Sequence, residues 1–199
     1  MPSHHHSARS AQAGRPLRRL AVAVLAAVGA ATSAGILLAC SGASERRATP
    51  SSGDGLATVV RVVDGDTLVV RFANATTQQR VRLLGMDTPE SVKPNTPVQC
   101  FAKEASKRTE ELVPPGTALR LVGDVESHDA YGRLLAYVYR QSDDLFLNLT
   151  LVQEGFAQAY TFPPNVSHAE DFVRAAADAR QAGRGLWANC PNVRPKGAG

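Results

Sequence analysis

The chain has 199 residues, of which 44% are hydrophobic, 6% aromatic and 20% charged, with 3 cysteines. This composition is typical of one globular domain with a mainly aliphatic core, and it excludes a disulfide-dense miniprotein, a collagen and a fully disordered chain. The formal net charge is +4, but four of the 22 basic side chains and none of the 18 acidic ones lie in residues 1–40. The rest of the chain is therefore formally neutral, and an argument for a polyanionic partner has to come from a local site.

The first 40 residues have the plan of a secretory signal. Residues 1–19 contain arginines but no acid, and no residue from Leu20 to Ser44 is charged, which is the order of a basic start and an apolar run. The run ends in Leu37-Leu38-Ala39-Cys40 and is similar to a bacterial lipoprotein signal with lipid attached to Cys40. An uncleaved anchor is the alternative, because about 20 apolar residues span a bilayer, and Arg18-Arg19 would also suit a twin-arginine signal.

The composition divides the chain into four parts. Residues 1–40 are predicted to be the signal peptide, 41–55 a flexible tether rich in Ser, Gly and Pro, 56–190 the folded domain and 191–199 a flexible tail. A lipid on Cys40 would anchor the domain to the outer face of the bacterial cytoplasmic membrane, unless the protein is released extracellularly. Disulfides persist outside the cytoplasm, and Cys100 and Cys190 then remain to pair, with two free buried thiols as the alternative.

Five strands are predicted from runs rich in β-branched residues. They cover Leu56–Val63, Thr67–Phe72, Gln78–Leu84, Ala118–Val122 and Leu134–Tyr139. Helices are predicted over Cys100–Leu112, over Leu147–Glu154 with Gly155 behind it, and from a capping box, Ser167-His168-Ala169-Glu170, to about Ala182. This order favours an α+β fold, a five-stranded Greek-key barrel of the oligonucleotide/oligosaccharide-binding (OB) type with three α-helices, over a sandwich, which needs more strands.

Two acidic turns are candidates for a metal site. Asp64-Gly65-Asp66 separates the first two strands, and a bare Asp-Gly-Asp is most often hairpin chemistry. Asp87-Thr88-Pro89-Glu90 follows the third strand, where the proline fixes the path of the chain. Two carboxylates and a backbone carbonyl, with water, are a suitable oxygen set for calcium.

Two arginines complete a set for phosphodiester hydrolysis. Arg82 is predicted to point away from the core side of its strand, where a lone arginine is usually solvated, and Arg133 follows a Tyr-Gly turn. Together they could present two planar forks to one phosphate. A metal ion and the arginines would offset negative charge in the transition state, while Glu90 takes a proton from the attacking water.

Four clusters, taken together, resemble the staphylococcal nuclease (thermonuclease) family in order and spacing. They are Val63-Asp64-Gly65-Asp66-Thr67, the segment from Arg82 to Glu90, Asp129-Ala130-Tyr131-Gly132-Arg133, and the segment from Ala159 to Asn165, which contains Tyr160 and Phe162. The resemblance runs from about Leu56 to Trp187, and it implies the same barrel with three helices. It further implies calcium-dependent cleavage of DNA and RNA by a protein without an obligate protein partner, for which a monomer is the default.

The resemblance also implies a role for each matched residue. Asp66 and Asp87 are similar to the calcium carboxylates, Thr88 to the carbonyl ligand, Asp64 to the turn residue beside them, and Glu90 to the general base. Arg82 and Arg133 resemble the phosphate-binding arginines, and Tyr131 and Tyr160 the tyrosines of the nucleotide pocket. Ala130 stands where the family often has a lysine, and Phe162 where it often has a second tyrosine.

Two other classes of function fit the sequence less well than a nuclease does. A non-catalytic OB barrel that only binds nucleic acid or protein usually lacks the acidic and arginine positions, which are all present here. A glycosidase with paired carboxylates would leave both arginines unexplained. The sequence therefore favours a membrane-tethered, calcium-dependent nuclease.

Overall fold

The computed structural model describes residues 55–91, 97–191 and 193. Its strands are β1 (Gly55–Asp64), β2 (Thr67–Phe72), β3 (Gln78–Leu83), β4 (Met86–Asp87), β5 (Ala118–Val122), β6 (Leu134–Arg140), β7 (Leu145–Phe146) and β8 (Gln158–Ala159). Its helices are α1 (Ala102–Leu112), α2 (Leu147–Gln153), α3 (Ala169–Gln181) and α4 (Leu186–Asn189). The predicted signal peptide with Cys40, tether residues 41–54 and nearly all of the predicted tail lie outside the described residues.

Five of these strands close into a barrel. The hydrogen-bonded order is β3-β2-β1-β5-β6, and β3 then pairs in parallel with β6, so that Val81–Leu83 lies beside Leu134–Ala136. The predicted α+β class and five-stranded OB barrel are therefore confirmed. The strand β4 pairs with β8 in a separate two-stranded ladder that joins Met86 to Ala159.

The barrel interior is aliphatic, as the composition predicted. Alternate residues of the strands point inward, so each strand presents one face to the core and the other to its surroundings. The inward set includes Val59, Leu68, Val70, Val81, Leu83, Leu119, Leu121 and Val138. Two register shifts in β1, between Val59 and Arg61 and between Val62 and Asp64, bend the strand and turn Arg61 and Asp64 away from the core.

The helices differ from the prediction at their starts and in number. The predicted capping box of α3 is wrong: the helix begins at Ala169 after His168, and no side chain caps it. Ser167 instead donates its amide and its hydroxyl to the Asp124 carboxylate, at 3.1 and 2.9 Å. The prediction of three helices missed the four-residue α4, which is too short to show helical periodicity.

The start of α1 also differs, because Phe101 has a left-handed backbone with φ of 69° and the helix begins only at Ala102. The Phe101 ring packs 5.3 Å from that of Phe156. The preceding residue, Cys100, forms a disulfide with Cys190, directly after α4, with Cα atoms 5.8 Å apart. None of the helices in the described part of the chain is long and apolar enough to cross a membrane.

Candidate active site

The turn between β1 and β2 is held tightly against the end of β4. The Thr109 hydroxyl of α1 donates to the Gly65 carbonyl at 2.8 Å. A Cβ atom at Gly65 would lie only 2.7 Å from the methyl group of Thr88, so this position requires glycine. The close approach brings Asp66 beside Thr88, although 22 residues separate them in the chain.

Asp66 is buried and accepts hydrogen bonds from Thr67 in β2 and from Thr88, directly after β4. Its Oδ2 accepts from the Thr88 amide at 3.1 Å and from the Thr88 hydroxyl at 3.0 Å, while its Oδ1 accepts from the Thr67 hydroxyl at 3.0 Å. The Asp66 amide donates to Asp64 Oδ1 at 3.1 Å, closing the turn. The fold thus fixes this carboxylate before any ligand binds.

Arg82 joins the two acidic turns. Its Nη1 lies 3.0 Å from Asp66 Oδ2, and its Nη2 lies 2.7 Å from Asp87 Oδ1. The arginine side chain is only 14% exposed, so the view of Arg82 as a solvated surface residue does not hold. Asp66, Arg82, Asp87 and Thr88 are called the acid–arginine cluster below.

Negative charge dominates around Arg82, because two carboxylates, Asp66 and Asp87, bind its guanidinium and Asp64 lies in the same turn as Asp66. Burial and the neighbouring charge of Asp66 raise the pKa of Asp64 to about 6. Burial would also raise the pKa of Asp66, but the Arg82 guanidinium and the Thr88 amide outweigh burial and lower it. Asp66 therefore loses its proton at lower pH than Asp64 does.

The chemistry of these donors fits a hard cation, since they are all oxygens and carry more negative charge than Arg82 neutralises. The described residues contain no group of three or more His, Cys, Asp or Glu side chains arranged to hold a metal ion. A calcium ion here would therefore depend on Asp66, Asp87 and the Thr88 carbonyl, with water filling the other positions.

Arg133 is anchored differently, by an acid four residues before it. Its Nε lies 2.6 Å from Asp129 Oδ2, and Asp129 Oδ1 accepts from the backbone amides of Tyr131 and Arg133, both at 2.9 Å. Burial would raise the pKa of Asp129, but the hydrogen bonds from Arg133 and Tyr131 lower it. Asp129 thus orders the whole Tyr131–Arg133 turn.

Both arginines line one cleft of about 590 Å³. Its other lining residues include Ala130, Tyr131, Tyr160 and Phe162, so the structure brings together the tyrosines and arginines that the sequence singled out. The Tyr131 ring is 86% exposed and the Phe162 ring 62%, which is unusual for large aromatic side chains. The cleft therefore combines fixed cations with aromatic faces open to a ligand.

Glu90 lies outside this lining set. Its amide donates to Gln99 Oε1 at 2.9 Å, and the Gln99 amide donates back to the Glu90 carbonyl at 3.0 Å. Gln99 is followed by Cys100, whose disulfide to Cys190 ties the segment to the end of α4. Two hydrogen bonds thus join the Glu90 backbone to Gln99, nine positions further along the chain.

Three residues that support the site had no role assigned from the sequence. Thr67, Gln99 and Asp129 each bind a predicted site residue or its backbone. Thr67 and Asp129 belong to the matched clusters, and the role of Asp129 could have been inferred, since Asp followed by Gly three residues later and Arg four residues later is a turn signal. Gln99 carried no such signal, because it meets Glu90, nine residues earlier in the chain, only once the segment between them has folded.

The fold and the site define a barrel enzyme of the nuclease class, a phosphodiesterase, and comparison with known proteins agrees. A family model described as "Staphylococcal nuclease homologue" matches residues 80–189. The thermonuclease of Staphylococcus hyicus is 40% identical over 131 residues, which are 66% of this chain and 75% of the relative. The thermonuclease of Staphylococcus intermedius is 42% identical over 129 residues, 65% of this chain and 74% of the relative.

A further relative comes from another genus. Endonuclease YncB of Bacillus subtilis (strain 168) is 37% identical over 141 residues, 70% of this chain and 65% of the relative. The chain belongs to the staphylococcal nuclease family, which confirms the resemblance found in its sequence.

Proposed function

We propose that this protein is a calcium-dependent nuclease that hydrolyses the phosphodiester bonds of DNA and RNA outside the cytoplasm. The observation that carries the proposal is the position of Arg82, which binds Asp66 and Asp87 at 3.0 and 2.7 Å and also lines the cleft that contains Arg133. The carboxylates that could bind a cation and the guanidinium groups that could bind a phosphate therefore lie together at one wall of a cleft lined by aromatic side chains.

The arginines bind the phosphate. Arg82 is held by two carboxylates, those of Asp66 and Asp87, and Arg133 is held through its Nε by Asp129. An arginine fixed in this way loses little further freedom when it binds a phosphate. Charge-assisted hydrogen bonds to the phosphate oxygens strengthen as negative charge develops in the transition state.

The tyrosines bind the sugar and base next to that phosphate. Tyr131 is nine-tenths open to solvent and Tyr160 lies on the same cleft, so a nucleobase can stack on either ring. Phe162 adds a third aromatic face without a hydroxyl group, and Ala130 adds no charge. Binding in this cleft therefore depends more on stacking than on cations beyond the two arginines.

Calcium, when bound, would neutralise charge on the phosphate and make a water molecule more acidic. Asp66 and Asp87 would hold it with the Thr88 carbonyl, and Asp64 would support the turn through its bond to the Asp66 amide. Glu90 would accept the proton of the attacking water, as a general base held in place by its backbone bonds to Gln99.

The test is cleavage by the purified protein. Heat-denatured DNA and RNA are incubated with calcium or with a chelator, next to a Glu90→Gln sample made in the same way. We expect fragments with calcium only, and far fewer from the variant. A protein that binds the nucleic acid but releases no fragments with calcium would be a non-catalytic barrel, and the proposal would fail.

The location is proposed from the leader alone. The apolar run that ends at Cys40 supports export and a lipid anchor on the outer face of the cytoplasmic membrane, with the domain acting as a monomer. Cys40→Ser should release the protein from the membrane fraction or block removal of the signal. A mature-sized product that stays tightly bound to the membrane in this variant would refute the anchor.

A further inference from the structure

The outer face of β1, β2 and β3 forms three rows of side chains that start at the active site. Directly opposed residues in antiparallel strands point to the same face. In the first row Arg82 pairs with Thr67, and Thr67 pairs with Asp64. This row belongs to the active site, so the rows beyond it continue the same surface.

The next two rows carry arginines. In the second row Arg80 and Arg61 flank Val69, and in the third row Arg71 lies between Gln78 and Thr58. Successive rows are about 6.7 Å apart along a strand, and neighbouring strands are about 4.8 Å apart. We call these three residues, Arg61, Arg71 and Arg80, the outer arginine face. Its nearer row, which contains Arg80 and Arg61, is therefore the row next to that of Arg82 on the same face of the sheet.

These three arginines are exposed, and the described part of the chain contains no acidic partner for them. No carboxylate in the described ranges forms an ion pair with any of them, whereas six other arginines of those ranges do pair with acids. The only acids between residues 55 and 83 are Asp64 and Asp66, which belong to the turn of the active site. Residues 56–190 contain 14 basic and 16 acidic side chains, so this face carries positive charge, without an acidic partner among the described residues, in a domain whose formal charge is slightly negative.

Resting on the nuclease function proposed above, we propose that the outer arginine face is a second binding surface for the substrate, which holds phosphates of the nucleic-acid strand beyond the one being cleaved. Exposed guanidinium groups bind phosphate oxygens with two parallel hydrogen bonds and release counterions when they do so. The outer arginine face and Arg82 lie on the same side of β1, β2 and β3. A nucleic-acid strand with one phosphate at Arg82 can therefore extend directly over the outer arginine face.

The surface would act on long strands and not on the shortest substrate. A dinucleotide has one phosphodiester, which fills the cleft, while a 20-nucleotide strand has phosphates to place on the outer face. The face therefore predicts tighter binding of longer strands, with a steeper dependence on salt. This prediction separates it from three arginines that merely keep a surface soluble.

Binding is tested first, without cleavage. The purified protein is titrated against a fluorescent 20-nucleotide single strand in chelator, at several salt concentrations, and compared with the variant Arg61→Gln/Arg71→Gln/Arg80→Gln. The matched control, Arg174→Gln/Arg180→Gln/Arg184→Gln, loses the same charge on α3 and directly after it. We expect the first variant to bind roughly 10- to 100-fold more weakly near 0.1 M salt, with the slope of log affinity against log salt shallower by about 2.

The control variant should change both quantities much less, because it leaves the outer face intact. Equal losses in the two variants would show that only net charge matters, and would overturn the proposal. An unchanged affinity in the first variant would overturn it as well. Neither reading needs catalysis, so the binding test decides even if the proposed nuclease activity fails.

Cleavage of a dinucleotide in calcium then separates the two proposals. We expect the outer-face variant to keep the wild-type kcat/KM on the dinucleotide and to lose it only on the 20-nucleotide strand. Equal losses on both substrates would mean that these arginines support the fold or the cleft, and the proposal would be wrong. If the wild-type protein cleaves neither substrate, the nuclease function fails and the outer face is judged by binding alone.

Discussion

The two ends of the active site are built in different ways. One part is the acid–arginine cluster, which is largely buried and whose hydrogen bonds join β2, β3 and β4. The other part, called the loop end here, consists of Glu90 and the Tyr131–Arg133 turn, which lie on loops and are held mainly by bonds to Gln99 and Asp129. Changes in the cluster should therefore reduce stability and activity together, whereas changes at the loop end should reduce activity alone.

The largest effect on the rate is expected at Glu90. Glu90→Gln keeps the shape of the side chain and removes the proton acceptor, so the rate on a short single-stranded oligonucleotide at saturating calcium should fall by about 10²–10⁴. Calcium affinity and the thermal unfolding midpoint should stay close to wild type, because Glu90 is outside the acid–arginine cluster. Initial rates, calcium titration and thermal melts measure the three quantities.

The control is Glu110→Gln, the same chemical change at an exposed position of α1, which should leave the rate unchanged. A Glu90→Gln enzyme that keeps more than about a third of the wild-type rate, well short of the loss expected for a general base, would remove this residue from the mechanism.

The two arginines give the next largest effect and separate the two ends directly. Arg82→Lys and Arg133→Lys keep the charge and lose the planar fork, so each should slow cleavage by roughly 10²–10³-fold. Arg82→Lys should also lower the free energy of unfolding by about 1–3 kcal/mol, because one ammonium cannot replace two guanidinium nitrogens between buried carboxylates. Arg133→Lys should change it by less than about 1 kcal/mol, since its ion pair is partly exposed.

Paired rate and urea-unfolding measurements on the two lysine variants check this contrast. Equal losses in the free energy of unfolding would show that Arg82 and Arg133 contribute equally to stability, and that the two ends of the site do not differ in this way.

The disulfide tests whether the loop end depends on a covalent tie. Cys100 and Cys190 are 90 residues apart in sequence, and removing a crosslink over a loop of this size should cost about 4–5 kcal/mol in the chain-entropy model. The double variant Cys100→Ser/Cys190→Ser and the reduced wild-type protein should both show this loss in urea unfolding. Identical unfolding of wild type with and without reductant would contradict it.

The sequence predicted the barrel because most of its strands are long enough to appear as runs rich in β-branched residues. Thr67–Phe72 and Ala118–Val122 were placed with the bounds that the structure has. The ladder of β4 and β8 has two residues in each strand, too few for any period to appear. The α3 capping box failed because the partner of Ser167 is Asp124, 43 residues away, and local patterns carry no information on such contacts.

The same limit applies to the site. Acids at turns and a proline after Asp87 were visible locally, so the sequence found both carboxylates of the acid–arginine cluster. The burial of Arg82 was not visible, because it depends on the approach of β4 to the β1–β2 turn. The outer arginine face was hidden as well, since its rows exist only once the register of three strands is known.

The smallest expected effect concerns Asp124, which holds the segment before the Tyr131–Arg133 turn. Its carboxylate accepts from Tyr137 at 3.1 Å and from the Ser167 amide and hydroxyl. Burial would raise the pKa of Asp124, but these hydrogen bonds outweigh burial and lower it. A lowered pKa in the folded state stabilises the protein above the unfolded value of about 3.9, and this contribution disappears as the pH falls through the folded value.

Asp124→Asn should therefore lower the free energy of unfolding by about 1–2 kcal/mol at pH 7, and its difference from wild type should be smaller at pH 3, below the unfolded pKa of about 3.9. The exposed acid Asp178 on α3 is the control, since Asp178→Asn breaks no described hydrogen bond of this kind. Urea unfolding at the two pH values measures both variants. In this variant the hydrogen bond from the Glu126 amide to Asn165 Oδ1, at 2.8 Å, still joins these two residues of the cleft lining. The rate of cleavage of a short oligonucleotide at pH 7 should therefore change less than threefold, about 0.6 kcal/mol. A difference between wild type and Asp124→Asn that is as large at pH 3 as at pH 7 would show that this carboxylate stabilises the wall by packing and not by its charge.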